Sequence, residues 1–123
     1  MTSPDTINQL IPEADFLASV VDLAQAHNWL CHHQQDSKVN PWRRGKQGRQ
    51  SNPGCPDLLL VSQPPMRPRI IHVELKREGG KLTRAQLQWM DALGRCAAGR
   101  PVEVYLWYPS DWDVIVSLLG DST

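Results

Sequence analysis

Asp57, Glu74 and Lys76 are the residues of this chain whose types and spacing could do chemistry together. Asp57 opens the apolar run Asp57-Leu-Leu-Leu-Val61, and Glu74 and Lys76 end another, Arg69-Ile-Ile-His-Val-Glu-Leu-Lys76. Two carboxylates and an ammonium gathered at the ends of neighbouring strands make a site for a hard divalent cation and an activated water. Phosphodiester hydrolysis uses that combination, because it needs a nucleophilic water, relief of the charge that builds on phosphorus, and a proton for the leaving oxygen. Asp57 and Glu74 supply hard oxygens, the main-chain carbonyl of Leu75 is a candidate third ligand, and Lys76 would orient the water or offset charge on the phosphate. Mg²⁺ suits such a set because it tolerates few protein ligands and keeps its waters; Mn²⁺ should substitute. An E-x-K triplet also describes an ordinary surface ion pair. Against that stand the place of Glu74 at the end of an apolar strand and of Asp57 directly behind Pro56.

The elements that must position these residues follow from periodicity. Pro12 to about His27 is predicted as a helix, with Pro in its first turn and Phe16, Leu17, Val20, Val21 and Ala24 at helical spacing. Glu13 shares the face of positions 17, 20 and 24, and a carboxylate in a first turn also suits the helix macrodipole. Asn28 leads into a strand over Trp29 to His33. Asp57 to Val61 is a continuous apolar run, the pattern of a strand covered on both faces. In the next strand Ile70, His72, Glu74 and Lys76 share one face while Ile71, Val73 and Leu75 share the other. Thr83 with Gln86 fits a capping box opening a helix along Leu87, Met90, Leu93, Gly94 and Ala97, with Gly99 as its stop. Val102 to Trp107 is a fourth strand, and Ser110 can cap a last helix through Ile115 and Leu119. The order α-β-β-β-α-β-α predicts an α/β domain with a mixed sheet of about four strands flanked by helices.

With 123 residues the chain suits one domain over 1–123. No apolar run is long enough for a membrane span, and the N-terminus lacks a secretory signal pattern. Cys31, Cys55 and Cys96 fit neither a disulfide framework nor a zinc-ligand spacing, so a reducing cytoplasmic interior is expected. The net charge of zero hides an asymmetry: all thirteen Lys and Arg residues lie between Lys38 and Arg100, where only four acids occur. Such a +9 segment fits a polyanionic partner, although a solvated basic surface has the same composition. Its densest part, the surface loop 38–51, carries Lys38, Arg43, Arg44, Lys46 and Arg49 with Trp42 and no acid. Cations with one aromatic suit phosphate contacts and stacking. Lys81 and Arg84 extend the basic set towards Glu74.

Pro56-Asp57 followed by Glu74-Leu75-Lys76 resembles the PD-(D/E)xK nuclease motif. The flanking text, Gly54-Cys-Pro-Asp-Leu, Val73-Glu-Leu-Lys, Gly80-Lys-Leu-Thr, Gln86-Leu-Gln-Trp89 and Val104-Tyr-Leu-Trp-Tyr-Pro109, is similar to the VRR-NUC branch, from about Glu13 to Leu119. The resemblance implies a restriction-endonuclease-like core and Mg²⁺- or Mn²⁺-dependent cleavage of DNA to 5′-phosphate and 3′-hydroxyl ends. In that pattern Asp57 and Glu74 bind metal, Lys76 serves the water, Glu13 completes the acidic cluster as a metal ligand or a nearby carboxylate, and Gln86 lies beside it. Stand-alone members resemble junction-resolving enzymes, which implies a homodimer acting on branched DNA such as Holliday junctions. The loop 38–51 is longer than the link usual in small members, so substrate choice need not follow theirs. A non-catalytic DNA-binding module of the same fold, and a nuclease of flaps or RNA, are the competing readings.

Overall fold

A computed structural model describes residues 4–33, 54–98 and 101–121. Helix α1 (Pro4–Gln9) precedes α2 (Glu13–Ala26), which leads into β1 (Leu30–His33). Strands β2 (Leu58–Val61) and β3 (Ile70–Leu75) follow, then α3 (Arg84–Ala97), β4 (Val102–Trp107), a 3-10 turn (Pro109–Asp111) and α4 (Trp112–Gly120). The strands form one sheet in the order β1-β2-β3-β4. β1 and β2 run antiparallel, as do β2 and β3, whereas β4 joins β3 in parallel after the crossover through α3. This is the expected α/β fold with a mixed four-stranded sheet flanked by helices, consistent with a restriction-endonuclease-like core.

α2 forms because Phe16, Val20 and Ala24 recur every four residues and all three are buried. Its end is set by Asn28 in the left-handed region at φ 69°. The Asn28 amide donates to the carbonyl of Gln25 and the Trp29 amide to that of Ala24, the closing pattern of a Schellman motif. The turn delivers Trp29 into the core, where its indole N–H donates to the carbonyl of Leu119 at 2.9 Å.

One face of the sheet is dry. Leu58, Leu60, Ile71, Val73, Leu75 and Trp107 pack there with Phe16, Val20, Ala24 and Trp29 and with Ile115 and Leu119 of α4. On the other face α3 lies against β4, yet no residue of α3 is buried and Leu87 is 54% exposed. Leu59 and Val61 are accordingly only half-buried. The apolar run of β2, expected to be covered on both faces, alternates buried and half-buried among the described residues.

At the end of the sheet away from Glu74, Arg69 is 2% exposed and forms a two-pronged ion pair with Glu103, at 2.6 and 2.7 Å. It also donates to the carbonyl of Leu118 and lies 5.2 Å from the Trp29 ring centroid. Tyr105 donates to Glu103 at 2.6 Å. Burial and the Glu103 carboxylate push the Tyr105 phenol up to about 12. This network ties β3 and β4 to the last turn of α4.

Two expectations need correction. Helix α1 precedes the first helix of the expected order α-β-β-β-α-β-α. Ser110 makes no cap for the last helix: the residue before α4 is Asp111, without a side-chain cap bond, and the Ser110 hydroxyl donates to Glu78 instead. Gly99 and the basic loop 38–51 lie outside the described residues.

Candidate active site

Asp57 and Glu74 meet because the antiparallel register that pairs Leu58 with Val73 sets Asp57 across from Glu74. Each carboxylate then accepts a backbone amide from the other's strand. The Asp57 N–H donates to Glu74 Oε2 at 3.2 Å, and the Leu75 N–H donates to Asp57 Oδ2 at 3.2 Å. The approach to Asp57 is shaped by Gly54 at φ 86° and by buried Pro56. A Cβ on Gly54 would stand 2.5 Å from the Ala85 carbonyl carbon and 2.7 Å from the Gln86 nitrogen. Only glycine can therefore lie on the first turn of α3 here.

The same turn supplies the third member. Thr83 and Gln86 form the capping box read in the sequence, the Gln86 amide donating to Thr83 Oγ1 at 3.1 Å and the Thr83 amide donating to Gln86 Oε1 at 2.8 Å. Gln86 Nε2 is left free to donate, and it donates to Glu74 Oε1 at 2.6 Å. The orientation of this amide is dictated on both sides, since its oxygen faces an N–H and its nitrogen faces a carboxylate. The two readings of Gln86, cap partner and site neighbour, are thus both fulfilled, by opposite ends of one side chain.

Glu74 is 2% exposed. Burial first, and the charge of Asp57 second, push its carboxyl up to about 8, while the Lys76 ammonium pulls the other way. Lys76 itself is half-buried on the same side of the chain, its backbone N–H donating to the carbonyl of Trp107. Among the described residues no ion pair joins it to either carboxylate. Burial and the carboxylates of Glu74 and Asp57 also raise the Cys55 thiol, which keeps it protonated beside the site.

Glu13 opens α2 and is exposed. Its turn lies at the same end of the sheet, for Phe16 lines a cavity of about 300 Å³ with Pro109 and Trp112, just beyond the C-terminal end of β4. Among the described residues, however, no group of three His, Cys, Asp or Glu side chains is arranged to hold a metal ion. The structure brings together Asp57, Glu74 and Gln86, with Leu75 and Lys76 adjoining. Lys81 and Arg84 are exposed on the connection into α3. Lys38, Trp42, Arg43, Arg44, Lys46 and Arg49 lie outside the described residues. His72 is half-buried two residues before Glu74, and burial lowers its imidazole. Sequence reasoning named Gly54 in its motif but missed its close approach to α3, and it missed Glu78, whose partner is distant.

The donor set fits a hard divalent ion. Two adjoining carboxylates suit an ion that takes few protein ligands, and such an ion would stabilise the ionised form of Glu74, which burial and Asp57 disfavour. The described helices include none long and apolar enough to cross a membrane. Among known domain families, the VRR-NUC domain matches residues 9–106. No curated protein and no solved structure matches the chain.

Proposed function

The chain belongs to the VRR-NUC family, a nuclease domain family of the PD-(D/E)xK type, and from that membership we propose that it is a Mg²⁺- or Mn²⁺-dependent, structure-selective DNA endonuclease acting on branched DNA such as four-way junctions. The observation that carries this reading is Glu74, a buried carboxyl group held at both oxygens and facing the carboxylate of Asp57, with no cation among the described residues in an ion pair with either. A fold that only bound DNA would gain nothing from burying one carboxyl group against another, since ionising the pair costs stability and repels the phosphates.

Asp57, Glu74 and the Leu75 carbonyl would hold the ion, whose chemistry there would be to polarise the phosphate and make water more acidic. Gln86 and the amides of Asp57 and Leu75 fix the carboxylate oxygens before the ion arrives, so little reorganisation is left for the reaction. Lys76 orients the attacking water and offsets charge on the phosphate, and Glu13 contributes an outer carboxylate at the same end of the sheet. Lys81 and Arg84, with Lys38, Trp42, Arg43, Arg44, Lys46 and Arg49, hold the DNA backbone. One active site per chain serves two opposing strands only through symmetric pairing, so the acting form is a homodimer.

The test offers labelled four-way junction, flap, nicked duplex, single strand and RNA with Mg²⁺, Mn²⁺ or chelator to wild type, Asp57→Asn and Lys76→Ala. Metal-dependent cutting of the junction should fall by roughly a hundredfold or more in both variants. If no substrate is cut, or the variants cut as well as wild type, the assignment fails. Light scattering that shows a monomer at micromolar concentration, with equal cutting of duplex and junction, would remove the homodimer and the junction preference.

A further inference from the structure

The connection between β3 and α3 begins beside Glu74 at Lys76 and returns to Glu74 through Gln86, so that it forms an arch with both feet at the site. Its crown is a tight turn in which the Gly80 amide donates to the Arg77 carbonyl at 2.9 Å, with Gly79 at φ 81°. Nothing lies within 4 Å of a Cβ on Gly79, so the turn's conformation and not crowding calls for glycine. Arg77, Lys81 and Arg84 are exposed along the arch, and among the described residues none of them is in an ion pair.

The acid of this stretch, Glu78, is spent elsewhere. Its Oε1 accepts the Ser110 amide at 3.0 Å and its Oε2 accepts the Ser110 hydroxyl at 2.9 Å. One residue pair further along, the Tyr108 hydroxyl donates to the Gly80 carbonyl at 2.9 Å. Three bonds from the segment after β4 therefore grip the arch at its crown, while Tyr108 is itself fixed by its amide donating to Asp111 at 2.8 Å. The grip leaves the arginines and the lysine as the charges the arch presents.

We infer that Glu78, Ser110 and Tyr108 are positioning residues: they clamp the arch so that Arg77, Lys81 and Arg84 meet the backbone phosphates next to the bond that is cut. The inference rests on the nuclease reading for its substrate class and adds Arg77 to the phosphate contacts. It also makes a claim about sign. Removing an acid from a surface that binds a polyanion should tighten binding by simple charge. Glu78→Gln removes that charge and turns the acceptor that meets the Ser110 hydroxyl into a donor, so that one of the three bonds loses its charge assistance and must be remade, and the clamp requires that it weaken binding instead.

The test uses the full chain and a fluorescein-labelled four-way junction and linear duplex, with binding read by anisotropy in chelator and cutting read at saturating DNA with Mg²⁺. Glu78→Gln, Ser110→Ala and Tyr108→Phe should each weaken binding about five- to tenfold, the scale of a hydrogen bond lost to a charged or well-aligned partner. Cutting at saturation should stay within about twofold of wild type, as loss of positioning without loss of chemistry requires. Arg77→Ala should lower the salt slope of binding by about one. Tyr108→Phe deletes a single hydroxyl and keeps the comparison open should Glu78→Gln fold poorly. Binding by Glu78→Gln that equals or exceeds wild type, with Tyr108→Phe unchanged, overturns the clamp alone, and so does a fall in saturated cutting as large as the fall in binding. A wild type that binds no DNA overturns the clamp and the nuclease reading together.

Discussion

Replacing Gln86 by glutamate keeps one of its two roles and reverses the other. A glutamate carbonyl-type oxygen accepts the Thr83 amide as the glutamine oxygen does, and S/T-x-x-E is as good a capping box as S/T-x-x-Q. At the other end, the Nε2 that donates to Glu74 at 2.6 Å becomes an oxygen facing an oxygen. Two carboxylate charges centred roughly 4 Å apart repel by about 4 kcal/mol at an effective dielectric constant near 20. Without metal the pair relieves this by holding one proton, which is easy because Glu74 is already pushed up to about 8. The unfolding midpoint of the metal-free variant at pH 6.5 should therefore stay within about 3 °C of wild type. Metal binding demands the ionised pair, so the same repulsion is felt in full, and Mn²⁺ affinity by titration calorimetry should drop by about a thousandfold. Cutting at fixed Mn²⁺ should fall with it and recover in part at higher metal. Gln86→Ala serves as the contrast, losing the box and the Glu74 bond together, with a stability loss of about 1 kcal/mol from the cap. If Gln86→Glu binds Mn²⁺ and cuts like wild type, Gln86 is a helix cap and nothing more, and the account of how Glu74 is held is wrong.

Two further outcomes follow from the same geometry. In metal-free protein Glu74 holds its proton more tightly folded, near 8, than its ordinary value of 4.5. The folded state then carries the extra proton between those values, so stability should decline as pH rises from about 4.5 to about 8 and level off above. Denaturant unfolding in chelator should show a loss of a few kcal/mol across that window, nearly absent in Glu74→Gln and diminished by Mg²⁺; an unchanged slope in Glu74→Gln would refute it. Gly54→Ala combines a left-handed backbone with overlap against Ala85, and it should cost at least about 2 kcal/mol in denaturant unfolding and reduce cutting by the folded fraction. Wild-type stability and activity in this variant would mean that the loop stands off from α3.

The site was legible to the extent that its chemistry is carried by strand periodicity. Asp57, Glu74 and Lys76 fall at the ends of apolar runs, and a two-residue repeat fixes which of them face the same way. Gln86 was legible as a residue but not as a bridge, because a local motif and a distant contact both claimed it and the sequence does not say that an amide can satisfy both. Ser110 misled for the opposite reason: its neighbours mark it as a helix cap, and its partner Glu78 lies 32 positions away. Arg69 looked like one more cation of the basic segment, yet Glu103, 34 positions on, makes it a buried residue. The run Leu58 to Val61 was read as covered on both sides because apolar composition records what a face can tolerate, not which element lies over it. Helix α1 has too few apolar residues to show a period.

The crossed hydrogen bonds between Asp57 and Glu74 also make catalytic competence a gauge of how the hairpin was assembled. A slip of β2 by one position against β3 would turn Leu58 and Leu60 outward and withdraw the Asp57 amide from Glu74 in the same step. On the proposed assignment of Asp57 and Glu74, molecules with a misaligned hairpin should be silent rather than partly active, and the specific activity of a preparation should count the fraction of chains whose strands are in register.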